Sequence, residues 1–201
     1  MLREGWKPTT AKRLPRTLAA TAFAERAHAG QLRGDGTPFI RHPLEVASLL
    51  HESDAPDHVI AAGVLHDVIE KTNVTAPELG ERFGQPITRL VLAVTDDEKI
   101  VRYADRKSAL CRQVATAGRE ALAIFAADKL SKLRELRREA TADRGADGMS
   151  FWMHELRARR LTHYRRSLAM LEERLPESPL VHQLAAELGA LRNDPDVSLA
   201  S

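Results

Sequence analysis

Residues 61–72 read AAGVLHDVIEKT, and this stretch decides both the fold class and where chemistry can sit. Its apolar residues recur at three-and-four spacing, which predicts a single helix over residues 56–71. On a helix, residues three and four apart stack above one another and a single step turns about 100°, so His66, Asp67 and Glu70 look into the same space. The flanks are apolar, so that space lies inside the protein, where a charged aspartate is costly unless something compensates it. A metal cation supplies that compensation. Lys71 then closes the stretch with an ammonium at the edge of the cluster.

The same periodicity extends outward in both directions. Ala, Leu, Arg and Glu dominate and no alternating strand pattern stands out, so the expected fold is all-α, a single bundle of about nine helices. The helices are expected at 17–29, 43–52, 56–71, 75–83, 85–97, 100–115, 117–138, 150–175 and 179–192. Thr75 followed by Glu78 forms a capping box, with Pro77 tolerated in the first turn. Two loops stand out, QLRGDGTPFIRHP (31–43) and TADRGADG (141–148), because Gly, Asp and Pro favour turns. The expected organisation is an extension over 1–16, a core over 17–140, and C-terminal helices over 141–201 that pack on it. Phe151, Trp152, Met153 and Tyr164 suggest packing across the body or a contact in a homodimer.

Composition excludes several classes. Thirty basic residues against 28 acidic ones, mixed along the chain, give no one-sided basic surface for nucleic acid, and the RELRRE (134–139) and RARRL (157–161) runs read as solvated helix faces. A single cysteine, Cys111, rules out an internal disulfide framework and suits a reducing compartment; it reads as a small core or boundary residue. The first 18 residues lack the apolar core of a signal peptide, and no stretch reaches the roughly 18 apolar residues of a membrane span. A cytoplasmic protein is expected.

Two further side chains share the setting of His66 and Asp67. His42 stands at the start of a helix in FIRHPLEVA (39–47), and Asp128 interrupts the apolar run ALAIFAADKL (121–130). Two imidazoles and two carboxylates suit a divalent first-row ion with positions left for water and substrate. Taken singly, each is more often a helix-end histidine, a cap or an ion-pair partner; in the order H…HD…D the pattern points to a metal site. His28, His51, His58, His154, His163 and His182 read as polar-face or helix-end residues. Arg102, Arg106 and Lys107 read as a solvated face that reaches phosphates if their helix borders the pocket.

These residues resemble the HD-domain phosphohydrolases, and more fully the small stand-alone hydrolases of the RelA/SpoT type. The likeness covers about residues 17–138. It rests on AERAHAGQLRGDGTPFIRHPLEVA (24–47), AAGVLHDVIEKTNVTAPEL (61–79), ERFGQPI (81–87), LVLAVTDDEK (90–99) with Arg106–Lys107, and AADKLSKLREL (126–136). It implies an all-α fold, a bound manganese ion, and removal of the 3′-pyrophosphate from guanosine tetra- or pentaphosphate, (p)ppGpp. His42, His66, Asp67 and Asp128 match the family's metal ligands, Glu70 the first acid of its Glu-Asp pair, and Arg33 the arginine that stacks on the base. Glu70 can orient the metal-bound water or take its proton.

The chain also departs from that pattern. Lys71 stands where the family usually has Asp, and Lys132 where it usually has Asn; Gly34 replaces a second basic residue and Phe39 a tyrosine. Each lysine lies four residues beyond a candidate ligand, so each is expected to reach back to it, Lys71 to Asp67 and Lys132 to Asp128. The leading expectation is a metal-dependent phosphohydrolase of a purine nucleotide, with Lys71 in the catalytic group and Arg33, Lys132 and Arg102 binding substrate. The alternatives are a hydrolase of another nucleotide, such as an adenine alarmone, a deoxynucleoside triphosphate or an NADPH-type phosphate, and a degenerate nucleotide-binding regulator.

Overall fold

The computed structural model describes residues 14–142 and 151–192, without the side chains of 140–142, 151–154 and 192. The expected packing of Phe151, Trp152 and Met153, and all but the last residues of the extension over 1–16, therefore lie outside the described residues. Those described form ten helices: α1 Pro15–Ala27, α2 Arg41–Glu52, α3 Asp57–Leu65, α4 Val68–Lys71, α5 Ala76–Phe83, α6 Gln85–Val94, α7 Tyr103–Thr116, α8 Arg119–Ala142, α9 Phe151–Arg174 and α10 Pro179–Arg192.

The expected helix over 56–71 is two helices, and the break falls at His66 and Asp67. The His66 ring explains it: Nδ1 lies 2.8 Å from the Gly63 carbonyl oxygen, the acceptor that the Asp67 N–H would use if the helix continued. Asp67 then takes φ −99°, ψ −4°, and α4 restarts as one short turn. The remaining boundaries follow local chemistry. Thr75 caps α5 by accepting from the Glu78 N–H. Gly84, at φ 81°, ends α5 and opens α6, a left-handed conformation that suits glycine.

Helix α3 lies at the centre, with Val59 to Leu65 all buried. It packs against α1, α2, α6 and α8. Gly63 permits a close approach to α2, since a Cβ there would stand 2.4 Å from Leu50 Cδ1. The first half of α8 is buried nearly all round, through Ala121, Leu122, Ile124, Phe125, Ala126, Ala127, Leu130 and Leu133, so Asp128 sits in the core rather than on a face. The second half of α8 carries α10, while α9 lies across α7 and α8. Tyr164 on α9 is buried, as is His163, which corrects its reading as a polar-face residue. Among the described residues no helix is long and apolar enough to cross a membrane.

Asp57 joins the N-terminal ends of α1 and α3. Its carboxylate accepts from the Arg16 N–H at 3.0 Å, the Thr17 N–H at 3.0 Å and the Thr17 hydroxyl at 2.7 Å, and so caps α1 from a neighbouring helix. Partial burial pushes its pKa up, but these three donors outweigh it and hold Asp57 below the ordinary aspartate value. Asp57→Ala is expected to cost about 1 kcal/mol in urea denaturation near neutral pH. Because the folded-state pKa is the depressed one, the stabilisation is complete above about pH 4, the unfolded aspartate value, and is lost as pH falls below it. The wild-type and Asp57→Ala stabilities should therefore converge in acid.

Candidate metal centre

Four side chains from three places in the chain meet at one buried point. His42, the second residue of α2, sends Nε2 to 3.1 Å from Asp128 Oδ1, 3.5 Å from Asp67 Oδ2 and 3.2 Å from His66 Nε2. His66 Nε2 stands 3.4 Å from both carboxylate oxygens. All four residues are 5 % exposed or less. His42 Nε2, His66 Nε2 and Asp128 Oδ1 thus lie within 3.4 Å of one another, close enough to share one ion.

The outer nitrogens are tied down. His42 Nδ1 lies 2.9 Å from the Ser131 hydroxyl, and His66 Nδ1–H donates to the Gly63 carbonyl, which leaves Nε2 as the His66 atom that faces the cluster. Asp67 Oδ2 and Asp128 Oδ1 are buried and have no well-formed hydrogen bond. Buried oxygens in that state are costly unless a cation meets them. Burial alone would raise both carboxyls; His66 and Lys132 outweigh it at Asp67, and Lys129 and Lys132 at Asp128, so both are held well below the usual carboxylate range. Burial likewise opposes a charge on His66, yet Asp67 and Asp128 raise it to about 10. The surroundings thus call for positive charge at this point, and a divalent ion supplies it with both imidazoles neutral. Two nitrogens and two oxygens fit such an ion.

Two lysines flank Asp128. Lys132 Nζ lies 2.8 Å from Oδ1, as the four-residue spacing suggested. Lys129 Nζ lies 2.6 Å from Oδ2 with its side chain only 4 % exposed, 4.3 Å from the centre of the Phe125 ring. Sequence reading passed over Lys129, though its place in an otherwise apolar run was the available signal. Lys71 departs from expectation. Its side chain does not reach back to Asp67, although its backbone N–H donates to the Asp67 carbonyl at 2.9 Å, but pairs with its neighbour Glu70, Nζ to Oε1 at 2.6 Å.

Arg33 is not an exposed loop residue. Its side chain is 6 % exposed and makes a two-point pair with Glu135 of α8, at 2.5 Å and 2.7 Å. The loop that carries it folds as a tight turn, with the Arg33 N–H donating to the Thr37 carbonyl and Gly36 at φ 78°. Gln31 fastens this loop to the centre, donating to the Lys71 carbonyl at 2.7 Å and meeting His28 Nδ1 at 2.8 Å. Phe39 stands between the His28 and His42 rings, with centroids 4.8 Å and 6.1 Å away.

The VTDDEK segment turns out to be a strut. Asp96 is buried and pairs with Lys107 and, at 3.5 Å, with Arg106, fastening the α6–α7 connection to α7. Arg106 and Lys107 are therefore engaged within the fold. Arg102 stays 84 % exposed, paired with Asp105 at 3.6 Å, on the rim of a cavity of about 720 Å³ between α7 and α9.

An all-α body that closes two imidazoles and two carboxylates on one point has the makings of a metal-dependent hydrolytic centre. The HD domain family matches residues 20–161, and the chain belongs to that family, whose chemistry here is that of a metal-dependent phosphohydrolase. It is 41% identical over 125 residues to the guanosine-3′,5′-bis(diphosphate) 3′-pyrophosphohydrolase MESH1 of Homo sapiens, covering 60% of this chain and 69% of the relative. The counterpart from Danio rerio is 38% identical over the same length and coverage. The solved structure described as a metazoan ortholog of SpoT that hydrolyzes ppGpp superimposes with a TM-score of 0.71 at 22% identity, covering 94% of this chain and 99% of that one, and shows the shared fold.

Proposed function

We propose that this protein is a manganese-dependent (p)ppGpp 3′-pyrophosphohydrolase, working in the cytoplasm on a small nucleotide. The observation that carries the reading is the approach of His42 Nε2 and His66 Nε2 to within 3.1–3.5 Å of Asp67 Oδ2 and Asp128 Oδ1. His42, His66, Asp67 and Asp128 hold the ion. When bound, the metal lowers the pKa of a water and neutralises charge on the phosphoryl oxygens. Glu70 receives the water's proton as the new oxygen–phosphorus bond forms. The bond from phosphorus to the ribose 3′ oxygen breaks, and that oxygen takes up a proton, so pyrophosphate and a 3′-hydroxyl nucleotide leave.

Other side chains position the substrate. Lys71, held against Glu70, orients its carboxylate. We assign Arg33 to the purine base because its planar guanidinium suits stacking, and stacking would require substrate to draw that group out of its two-point pair with Glu135. Arg102 lies exposed at the α7–α9 rim to meet outlying phosphates.

The two lysines favour a second reading, in which the centre accepts a differently phosphorylated nucleotide, since Lys132 at Asp128 and Lys71 at Glu70 add positive charge beside the metal ligands. A nucleotide panel with Mn²⁺ separates the two. Pyrophosphate released from ppGpp, with adenine alarmone, deoxynucleoside triphosphate and NADPH turned over at least about 100-fold more slowly in kcat/KM, about 2.7 kcal/mol, supports the first. Orthophosphate from NADPH, or faster cleavage of another nucleotide, replaces it. Binding without turnover rejects both.

A further inference from the structure

Asp128 is gripped at both oxygens, but not equivalently. Lys129 holds Oδ2, the oxygen turned away from the histidines, from a buried position against Phe125. Lys132 reaches Oδ1, the oxygen 3.1 Å from His42 Nε2 and 3.4 Å from His66 Nε2. Oδ1 is thus the oxygen that a metal in this centre uses, and it already has a cation 2.8 Å away. That contact is an ion pair and not a well-formed hydrogen bond, since Oδ1 still lacks a hydrogen-bond partner. The two ammonium groups differ in freedom as well. Lys129 is enclosed, whereas the Lys132 side chain is 32 % exposed on a flexible stem and can swing without unpacking the core.

We propose that Lys132 is an internal counter-cation: it competes with the divalent ion for Asp128 Oδ1, and its ammonium passes to a phosphoryl oxygen of the substrate once ion and substrate are bound. Two charges close to one oxygen of a buried carboxylate repel each other, so the ion binds more weakly than the four ligands alone would hold it. An anionic phosphate relieves the repulsion by giving Lys132 another partner. Metal and phosphate therefore bind with positive cooperativity, and by linkage each tightens the other by the same factor. The centre consequently selects substrates with a strongly anionic group at the reacting phosphorus. Lys129 has no such alternative and serves only to orient Asp128. This inference rests on the reading of the cluster as a metal centre.

The experiment titrates Mn²⁺ into metal-stripped protein by calorimetry, with and without inorganic phosphate, for wild type, Lys132→Met and Lys132→Arg. Methionine keeps an apolar stem of similar length and removes the charge; arginine keeps the charge. Lys132→Met is expected to bind Mn²⁺ about tenfold more tightly than wild type, while Lys132→Arg stays close to wild type. Phosphate is expected to tighten Mn²⁺ binding to wild type and to leave Lys132→Met unchanged. The shift in melting temperature caused by Mn²⁺ gives a second readout that needs no turnover. Equal or weaker Mn²⁺ binding by Lys132→Met, or no effect of phosphate on wild type, overturns the role of Lys132 while leaving the metal centre standing. Absence of Mn²⁺ binding in all three proteins overturns the metal centre and this inference with it.

Discussion

Asp128→Ala is expected to leave the protein without bound divalent metal and without measurable turnover. Removing a hydrogen-bond partner one step behind a metal ligand costs about 10–100-fold, so losing a ligand outright should exceed that. The substitution does a second kind of damage. Lys129 is buried, and its charge is already disfavoured by desolvation, which Asp128 partly offsets. Without Asp128 its ammonium is left in the core with the Phe125 ring, and breaking a buried pair in this way costs about 3–5 kcal/mol. Asp128→Asn separates the two effects, because the amide oxygen still accepts from Lys129. It should recover most of the stability in urea denaturation but not the metal content measured by elemental analysis. Turnover that survives either substitution would reject the mechanism.

Glu70→Gln should reduce kcat by about 10²–10⁴-fold, the usual contribution of a positioned acid or base, while Mn²⁺ affinity stays near wild type. The separation follows from geometry: Glu70 lies one turn beyond the ligand pair and touches Lys71, not the ligands. Its side chain is 17 % exposed, so an amide of the same shape is accommodated without a folding penalty. Single-turnover kinetics at saturating Mn²⁺, with the metal titration run in parallel, checks both halves. A variant that loses metal as well as rate would make Glu70 a ligand; one that keeps full rate would remove it from the chemistry.

How much of this was legible in the sequence depended on whether the cause was local. The helices were, because three-and-four spacing is written into each segment: the helix expected over 179–192 spans those residues, and the others, apart from the one over 56–71 that breaks in two, lie within a few residues of where the pattern put them. The cluster was legible as well. Asp128 in an apolar run and His-Asp in another announce buried charge that needs a partner, and the structure brings them together with His42. What could not be read was whatever depends on a specific distant or competing partner. Periodicity does not show that the His66 ring takes the Gly63 carbonyl and breaks the helix there. Nor does spacing show that Lys71 prefers adjacent Glu70 to Asp67. The Arg33 side chain is covered through Glu135, 102 positions away. Lys129 was the avoidable omission, since it stands in the apolar run 121–130, one turn after Phe125, where most neighbours are core residues.

The central claim is that His42, His66, Asp67 and Asp128 hold one divalent ion. Anomalous diffraction from a crystal grown with Mn²⁺, recorded at the manganese edge, tests it most directly. The account predicts a single strong peak in contact with His42 Nε2, His66 Nε2, Asp67 Oδ2 and Asp128 Oδ1. A peak elsewhere, or none at this point while Lys132 keeps its grip on Oδ1, would contradict it.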